Sequence, residues 1–286
     1  MITDTFIEIG SQHQMCEDYI ISGPNYIILA DGCSGSKHSE MGARFLCYMA
    51  RMFMVQYGVG NYGDHTYPQR LGNWVIHNAE MLTRQLGLDK SSLDATLIVA
   101  YQKDDFLAVH MFGDGHIVLN TIYDPEYEIY SVDYKAGQRS MPYYLRYLID
   151  KEGHELYHEK KVSKMIYKDQ ISFGEFLGES DPVERAYDEP ESWYFNVQAY
   201  RSISICSDGL GTFLRSNPEE SGNKIMNAYE MVPSIFNFKS NNGVFLQREI
   251  NICKRQRKKA GLKFEHFDDL SIGTFLREDA FNAEAN

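Results

Sequence analysis

The sequence repeats one local pattern, in which a short apolar run rich in strand-forming residues stops at a turn that carries an aspartate. The clearest case is segment 25–32 (NYIILADG), whose continuous apolar run reads as a buried β-strand. The pattern recurs at Gly113-Asp114 and Ser207-Asp208-Gly209, and the acidic pair Asp268-Asp269 opens a last strand. The chain is therefore expected to build a strand-rich core whose strand ends carry carboxylates.

Further strands and helices follow from periodicity and from residues that start and stop helices. Strands are predicted at Asp94–Gln102, Phe106–Phe112, His116–Ile122, Arg201–Cys206 and in LSIGTFL after the acidic pair. Helices are predicted at Ser39–Gln56, Pro68–Leu86 and Asn242–Ala260. Ser39 is the expected N-cap of the first helix, and the basic KRQRKK run before Gly261 is interpreted as a solvated helix end.

The stretch from Tyr123 to Trp193 differs from the rest of the chain. It is rich in Tyr, Lys and Glu, and its hydrophobic periodicity is weak. We interpret segment 123–193 as a Tyr-rich elaboration, partly helical and partly irregular, with a helix-like ISFGEFLGE near its end. With no repeat and no long linker, residues 1–286 are predicted to form one domain.

Composition excludes several classes of function. The formal net charge of −12 argues against general nucleic-acid binding, which needs a basic surface. Five cysteines with no CxxC spacing favour free thiols over a disulfide framework or a zinc site. No apolar stretch is long enough to span a membrane, and the N-terminus lacks a basic region followed by an apolar run, so a cytoplasmic protein without a signal peptide is expected.

An aspartate at the end of a buried strand, followed by glycine, has a clear chemical use. The strand holds the backbone rigidly, and the glycine lets the chain turn so that the carboxylate projects from the edge of the sheet. Several ionised carboxylates that converge repel one another unless a cation lies among them. A set of ligands made only of oxygen suits Mg²⁺ or Mn²⁺. Each Asp-Gly taken alone is also an ordinary turn, so the inference depends on the whole set.

The order of the acidic landmarks resembles that of the metal-dependent serine/threonine protein phosphatases of the 2C type (PPM family), and bacterial-type members in particular. The landmarks are Glu17-Asp18, Asp31-Gly32, Gly113-Asp114, Ser207-Asp208-Gly209 and Asp268-Asp269, together with the strand start Asp94-Ala95-Thr96. The resemblance implies an α+β fold, a four-layer α-β-β-α sandwich in which helix pairs flank two central antiparallel sheets. It also implies two divalent cations, Mn²⁺ or Mg²⁺, and hydrolysis of phosphate monoesters by a hydroxide that bridges them.

The resemblance also gives each landmark a role. Asp31 would bridge the two metals, and the Gly32 carbonyl would bind the second of them. Asp208 and Asp268 would complete the coordination of the first metal, and Asp114 would bind at a third, weaker metal position. Glu17 and Asp18 would orient metal-bound waters from the outer shell. The expected substrate is phosphoserine or phosphothreonine on a protein, with neither nucleic acid nor membrane as a partner.

Two features of the eukaryotic members are missing from their usual places. Cys33 follows Asp-Gly where those members often have a histidine that acts as the general acid. No arginine precedes Arg44, so the usual phosphate-binding arginine is absent and Lys37 is a weak substitute. His13 and His38 lie nearby in sequence and are interpreted as surface or packing residues.

Three functional hypotheses follow from these residues. The first is a metal-dependent phosphoprotein phosphatase. The second is a catalytically silent, metal-binding relative that regulates a partner through the Tyr-rich segment. The third is an interaction protein whose Asp-Gly turns are only turns, which does not explain why acidic residues end so many strands. The substrate, the general acid and the oligomeric state stay open.

Overall fold

A computed structural model describes residues 1–123, 126–136, 139–140, 142–172, 175–215, 224–226 and 228–281. The strands are β1 Ile2–Glu8, β2 Tyr19–Gly23, β3 Tyr26–Ala30, β4 Leu97–Lys103, β5 Phe106–Phe112, β6 Gly115–Thr121, β7 Tyr127–Ala136, β8 Arg139–Ser140, β9 Ser163–Ser172, β10 Glu175–Glu179, β11 Val183–Arg185, β12 Glu191–Asn196, β13 Tyr200–Cys206, β14 Leu214–Arg215, β15 Lys224–Ile225 and β16 Leu270–Leu276. The α-helices are α1 Ser39–Tyr57, α2 Tyr67–Gln85, α3 Lys151–Glu159, α4 Ala228–Ile235 and α5 Phe245–Lys259.

Two antiparallel sheets form the centre of the molecule. The larger has the order β1-β16-β13-β6-β7-β9-β10, with β11 also paired to β9 and β8 to β7. The smaller has the order β12-β5-β4-β3-β2, and β14 pairs with β15 apart from both. The chain crosses from the smaller to the larger sheet between β5 and β6, so the link at residues 113 and 114 joins the two.

The inner faces of the two sheets pack against each other through a fully buried apolar layer. Ile27 and Leu29 of β3 point into this layer from the smaller sheet, and Ile203, Ile205 and Phe275 point into it from the larger one. Burying each such side chain stabilises the fold by about 1.5–3 kcal/mol relative to exposing it. This layer forms the centre of the sandwich.

Helix pairs cover both outer faces. Helices α1 and α2 pack on the smaller sheet, where Leu46 and Val75 meet Ile28 and Val99. Helices α4 and α5 pack on the larger sheet in the same way. Because helices cover the outer face, β3 is buried on both sides, and this is why its sequence reads as a continuous apolar run.

The four-layer prediction is confirmed by this arrangement. The predicted helices at Ser39–Gln56 and Pro68–Leu86 match α1 and α2 to within one residue at each end. The third predicted helix starts three residues later than expected, at Phe245, and ends at Lys259 in its basic run. Gly261 then adopts a positive φ of 74°, as expected of a residue that stops a helix.

Three local predictions are wrong. Ser39 does not cap α1, because His38 takes the N-cap position in a left-handed conformation and makes no side-chain cap. The ISFGEFLGE stretch is not helical, since its described residues lie in β9 and β10, while residues 173 and 174 lie outside the described residues. Segment 123–193 is also less irregular than predicted, because β7, β9, β10 and β11 extend the larger sheet, although residues 124–125, 137–138 and 141 lie outside the described ranges.

Within the described residues, none of the helices combines the length and the apolar character that crossing a membrane requires. All five cysteines are free thiols, and Cys47, Cys206 and Cys253 are buried.

Candidate metal centre

The predicted acidic residues meet at one end of the sandwich. Asp31 follows β3 of the smaller sheet, and Asp208 and Asp268 lie beside the paired ends of β13 and β16 in the larger one. Asp114 lies in the link between the sheets. The antiparallel pairing of these strands therefore gathers residues that are far apart in sequence.

The backbone around Asp31 is tied to the start of β4. The Asp31 carbonyl accepts from the Thr96 amide at 2.8 Å, and the Asp31 amide donates to the Thr96 hydroxyl at 3.3 Å. One step further, the Cys33 amide donates to the Asp94 carbonyl at 2.8 Å. The pairing of β3 with β4 thus continues past the strand end and fixes the turn that carries Asp31.

Each residue of the Ser-Asp-Gly turn after β13 has a separate task. The Ser207 hydroxyl accepts from the Ser271 amide at 3.0 Å and donates to the Asp269 carbonyl at 3.1 Å, which ties this turn to the start of β16. Gly209 permits the close approach, because a Cβ there would lie 1.9 Å from the Asp269 carbonyl oxygen. Between these two anchors, Asp208 is left to face the cleft.

Asp114 depends on its preceding glycine. Gly113 has a φ of 100°, and a Cβ there would lie 2.7 Å from Cγ2 of Thr96. A side chain at this position would be strained and would collide with the strand that supports Asp31. The Gly-Asp landmark therefore reflects a sharp bend between two sheets.

The two members of the acidic pair before β16 point in different directions. Asp269 is 1% exposed and accepts hydrogen bonds from the Gly10 amide at 2.7 Å and from the Glu17 amide at 2.5 Å. Its carboxylate therefore holds the N-terminal loop. Asp268 lines the cleft instead, in the position that the sequence assigns to the metal ligand.

The cleft itself has a volume of about 280 Å³. It is lined by Asp31, Gly32, Cys33, Ser34, Gly35, Thr96, Asp114, Pro142, Tyr144, Asp208 and Asp268. A water molecule occupies about 30 Å³ in the liquid, so the cleft has room for a phosphate group with cations and several waters. Its lining contains four carboxylates and, within the described part of the chain, no lysine or arginine.

Glu17 and Asp18 lie close to the cleft but do not line it. Asp18 is 3% exposed, and neither of its carboxylate oxygens makes a hydrogen bond of good geometry with the described residues, although the side chains of Ser271 and Asp31 lie close to it. One carboxylate oxygen of Glu17 and one of Asp208 are also buried without a hydrogen-bond partner among the described residues. Leaving a carboxylate oxygen buried and unpaired is unfavourable, so such atoms point to a missing cation or ordered water.

Burial and mutual repulsion raise the pKa values of these carboxyl groups. Burial is the largest cause for Asp31, followed by the charges of Asp18, Asp208 and Asp268. Burial and the Asp208 charge also raise the pKa of Asp114. For Asp208 itself, burial and then the charge of Asp268 raise the pKa to about 6. Without a cation, the cluster therefore favours holding protons.

The donor set fits a hard divalent cation. Carboxylate oxygens from four aspartates and the Gly32 backbone face one space, and this is the chemistry that Mg²⁺ and Mn²⁺ prefer. In the described residues, however, no three His, Cys, Asp or Glu side chains are grouped closely enough to form a ready-made ligand set. The carboxylates thus share a cleft without sharing one coordination sphere.

His13 differs from its prediction as a surface or packing residue. Its ring is 14% exposed, and Nε2 lies 3.4 Å from the Asp268 carboxylate and 3.2 Å from the Ser34 hydroxyl. Burial lowers the pKa of His13, but Asp269, Asp268 and Glu17 together outweigh burial and raise it. The ring therefore favours its charged form at the edge of the cleft. Its only sequence signal is proximity to Glu17-Asp18.

Sequence reasoning also missed the other wall of the cleft. Pro142 and Tyr144 come from the Tyr-rich segment and face the aspartates from outside the strand ends. Neither residue belongs to a motif, so the sequence offered no signal for them. His38, in contrast, has a side chain that is 59% exposed, as predicted for a surface residue, and Lys37 is also exposed.

Comparison with known proteins agrees with this geometry. Two antiparallel sheets between helix pairs, with acidic strand ends at one edge, define the fold of the 2C phosphatases. Residues 10–133 match the sequence model of the family described as protein phosphatase 2C. The chain is similar to this family over the matched residues, and its fold is that of bacterial members of the family. Glu17, Asp18, Asp31, Gly32 and Asp114 lie inside the matched range.

Solved bacterial structures share the fold along nearly the whole chain. A variant of a bacterial serine phosphatase superposes with a TM-score of 0.52 at 13% identity, covering 97% of this chain and 98% of the other. The serine/threonine phosphatase Stp1 from Staphylococcus aureus gives 0.51 at 12% identity, with 97% and 96% covered. PppA, a regulatory component of the T6SS in Pseudomonas aeruginosa, gives 0.51 at 12% identity, with 95% of each chain covered. No curated protein matches the sequence.

Proposed function

We propose that this protein is a metal-dependent phosphatase that hydrolyses phosphate monoesters, with phosphoserine and phosphothreonine on proteins as its substrates. The proposal rests on four aspartates, from separate strand ends and from both sheets, that line one cleft. The match of residues 10–133 to the 2C family and the shared fold support the same reaction class.

The unpaired buried oxygens carry the proposal. An aspartate with only a structural role would have its carboxylate in solvent or hydrogen-bonded to nearby amides. Asp269 is an example, since its carboxylate accepts from two backbone amides. Asp18 and Asp208 instead keep carboxylate oxygens that are buried and have no partner in the described structure. Such an arrangement is unfavourable unless a cation completes it, and this argues for a binding function.

The roles that the family resemblance implies for these residues are supported by their positions at the cleft. Bound divalent cations would supply the charge that clamps a phosphate and lowers the pKa of a bound water. Asp31, Asp208 and Asp268, with the Gly32 carbonyl, would hold two such cations, and Asp114 a third, weaker one. Glu17 and Asp18 would accept hydrogen bonds from waters behind them. No side chain needs to act as a nucleophile, so the five cysteines have no required part in the reaction.

The proposed substrate is based on the family match and not on the geometry of the site. A phosphoprotein is proposed because the family is one of protein phosphatases. The surface charge offers no general attraction for nucleic acid, and a cytoplasmic location stays a prediction from the sequence.

Purified protein should hydrolyse an aryl phosphate and a phosphoserine or phosphothreonine peptide in Mn²⁺ or Mg²⁺, and chelator should abolish the rate. Asp31→Asn removes a charge from the cleft without changing the shape of the side chain. We expect it to lower the rate by about 10²–10³-fold, the usual effect of removing one strong electrostatic contribution to a transition state.

Asp104→Asn is the matched control, because Asp104 is exposed in a hairpin turn with a φ of 52°, a conformation that asparagine tolerates. It should keep the full rate. Wild-type protein without metal-dependent hydrolysis, or an unchanged rate in Asp31→Asn, would contradict the proposal. Mn²⁺ binding without hydrolysis would instead favour the silent, regulatory relative.

A further inference from the structure

Segment 142–145 runs along the wall of the cleft with its side chains alternating between two spaces. Pro142 and Tyr144 face the metal cleft. Tyr143 and Leu145 face a second, smaller cavity of about 120 Å³ on the other side. The extended backbone at Tyr144, with φ −72° and ψ 147°, produces this alternation. The ring of Tyr144 is thereby aimed at the four aspartates.

This segment is anchored on both sides of Tyr144. The Tyr157 hydroxyl donates to the Pro142 carbonyl. On the other side, Nε of Arg146 donates to the Asp94 carboxylate at 2.6 Å, and the second oxygen of Asp94 accepts from the Ser36 hydroxyl at 2.7 Å. The wall is therefore fixed to the loop after Asp31.

Among the described groups that line the cleft, few can donate a hydrogen bond to an anion. The carboxylates only accept when ionised. The Thr96 hydroxyl accepts from the Asp31 amide, and the Ser34 hydroxyl lies within hydrogen-bond distance of the His13 ring, so the main side-chain donors here are these two hydroxyls and that of Tyr144. The Tyr144 hydroxyl is hydrogen-bonded to the Cys33 sulfur at the mouth of the turn that carries Asp31, and this weak acceptor can be replaced by a phosphate oxygen. Burial raises the pKa of Tyr144, and the nearby Cys33 side chain raises it further, so the Tyr144 hydroxyl keeps its proton.

We propose that the Tyr144 hydroxyl donates a hydrogen bond to a phosphate oxygen of the substrate and holds the phosphate against the metal centre. The proposal rests on the proposed phosphatase function and identifies a substrate-binding group of this chain's own. It gives the Tyr-rich segment a task at the site, where no lysine or arginine of the described residues is available for it.

Tyr144→Phe removes this hydroxyl and leaves the ring. Tyr147→Phe is the matched control, because Tyr147 lies on the same turn and packs on Tyr143 and Tyr157, away from the cleft. In Mn²⁺-loaded protein, we expect Tyr144→Phe to raise the KM for an aryl phosphate and the inhibition constant of inorganic phosphate by about 3- to 10-fold, the range for one net hydrogen bond. The kcat should change less than about 2-fold, as expected when uniform binding is lost. Mn²⁺ affinity by calorimetry should not change.

Binding of inorganic phosphate to the Mn²⁺-loaded protein, measured by calorimetry, tests Tyr144 without any turnover. The inference fails if Tyr144→Phe weakens phosphate binding no more than Tyr147→Phe does, or if loaded wild-type protein binds no phosphate. Failure of the phosphatase function itself looks different, because phosphate would still bind through Tyr144 while no substrate is hydrolysed.

Discussion

The two sides of the cleft treat their polar groups in opposite ways. On the strand-end side, Asp18 and Asp208 keep buried oxygens without partners in the described structure. On the opposite wall, Arg146 bridges Asp94 and Asp150, and the hydroxyl of Tyr143 meets the His154 ring at 2.9 Å. The strand-end side is incomplete without a cation, whereas the charged groups of the wall satisfy one another.

This difference indicates which side carries stability and which carries cation binding. Paired buried charges hold a structure together, and removing one partner leaves an uncompensated charge. Unpaired buried carboxylates weaken the folded state and recover that loss only when a cation arrives. The unfavourable burial of charge is therefore concentrated where a cation is expected, and the paired charges of the wall stabilise the fold beside it.

The largest effect should come from breaking the wall. Arg146→Ala leaves Asp94 buried, at 6% exposure, without its charged partner. We expect a loss of about 3–5 kcal/mol in the free energy of unfolding, measured by urea denaturation. Arg70→Ala breaks the exposed pair with Asp64 and should cost less than about 1 kcal/mol. Equal losses in the two variants would contradict the view that the wall is a stabilising cluster.

Cation binding should give the next largest effect, and it should act on the strand-end side. Mn²⁺ at about 100 times its dissociation constant should stabilise the folded state by about 2.7 kcal/mol per site. Thermal unfolding with and without chelator would measure the shift. Asp31→Asn should reduce the shift and Asp104→Asn should not. An unchanged melting temperature in Mn²⁺ would show that the unpaired carboxylates await something other than a divalent cation.

A smaller effect should separate the adjacent residues Asp268 and Asp269. Asp269→Ala leaves the Gly10 and Glu17 amides without their acceptor and should cost about 1–3 kcal/mol of stability. Asp268→Asn should weaken Mn²⁺ binding with little loss of stability in the metal-free protein. Denaturation and calorimetry on both variants test the division, and it fails if the two variants behave alike.

The smallest effect concerns pH in the metal-free protein. The pKa of Asp208 is raised to about 6 in the folded state, so its protonated form favours folding. This contribution is complete below the ordinary aspartate pKa of about 4 and is lost as the pH rises through about 6. Relative to Asp208→Asn, wild-type protein in chelator should therefore lose a few degrees of melting temperature between pH 4.5 and 7.5. Parallel pH profiles for the two proteins would contradict this sign.

The strand-end side was predictable from sequence and the wall was not. A strand that is buried on both faces has a continuous apolar sequence, and β3 is an example. The Asp-Gly that follows β3 indicates the turn at its end. The acidic residues therefore appear in order along the chain. Their individual roles as ligands stay predictions.

The Tyr-rich segment, which supplies the wall, lacks such signals because its strands do not show a regular alternation of apolar and polar residues. In β9, Lys164 is buried but paired with Glu191 at 2.6 Å, so a charged residue occupies a core position. A register shift between Phe176 and Gly178 interrupts the alternation of β10. The ion pair of Arg146 with Asp94 joins residues 52 positions apart, and no local pattern encodes such a contact.

The pairing of β1 with β16 has a consequence for the order in which the protein is made. The Gly10 and Glu17 amides donate hydrogen bonds to the Asp269 carboxylate, which lies 259 and 252 positions further along the chain. During synthesis from the N-terminus, the acidic cluster cannot be completed until β16 has left the ribosome. A growing chain that stops short of β16 would lack both Asp268 and the carboxylate that holds the Glu17 loop, so metal binding should follow the synthesis of β16.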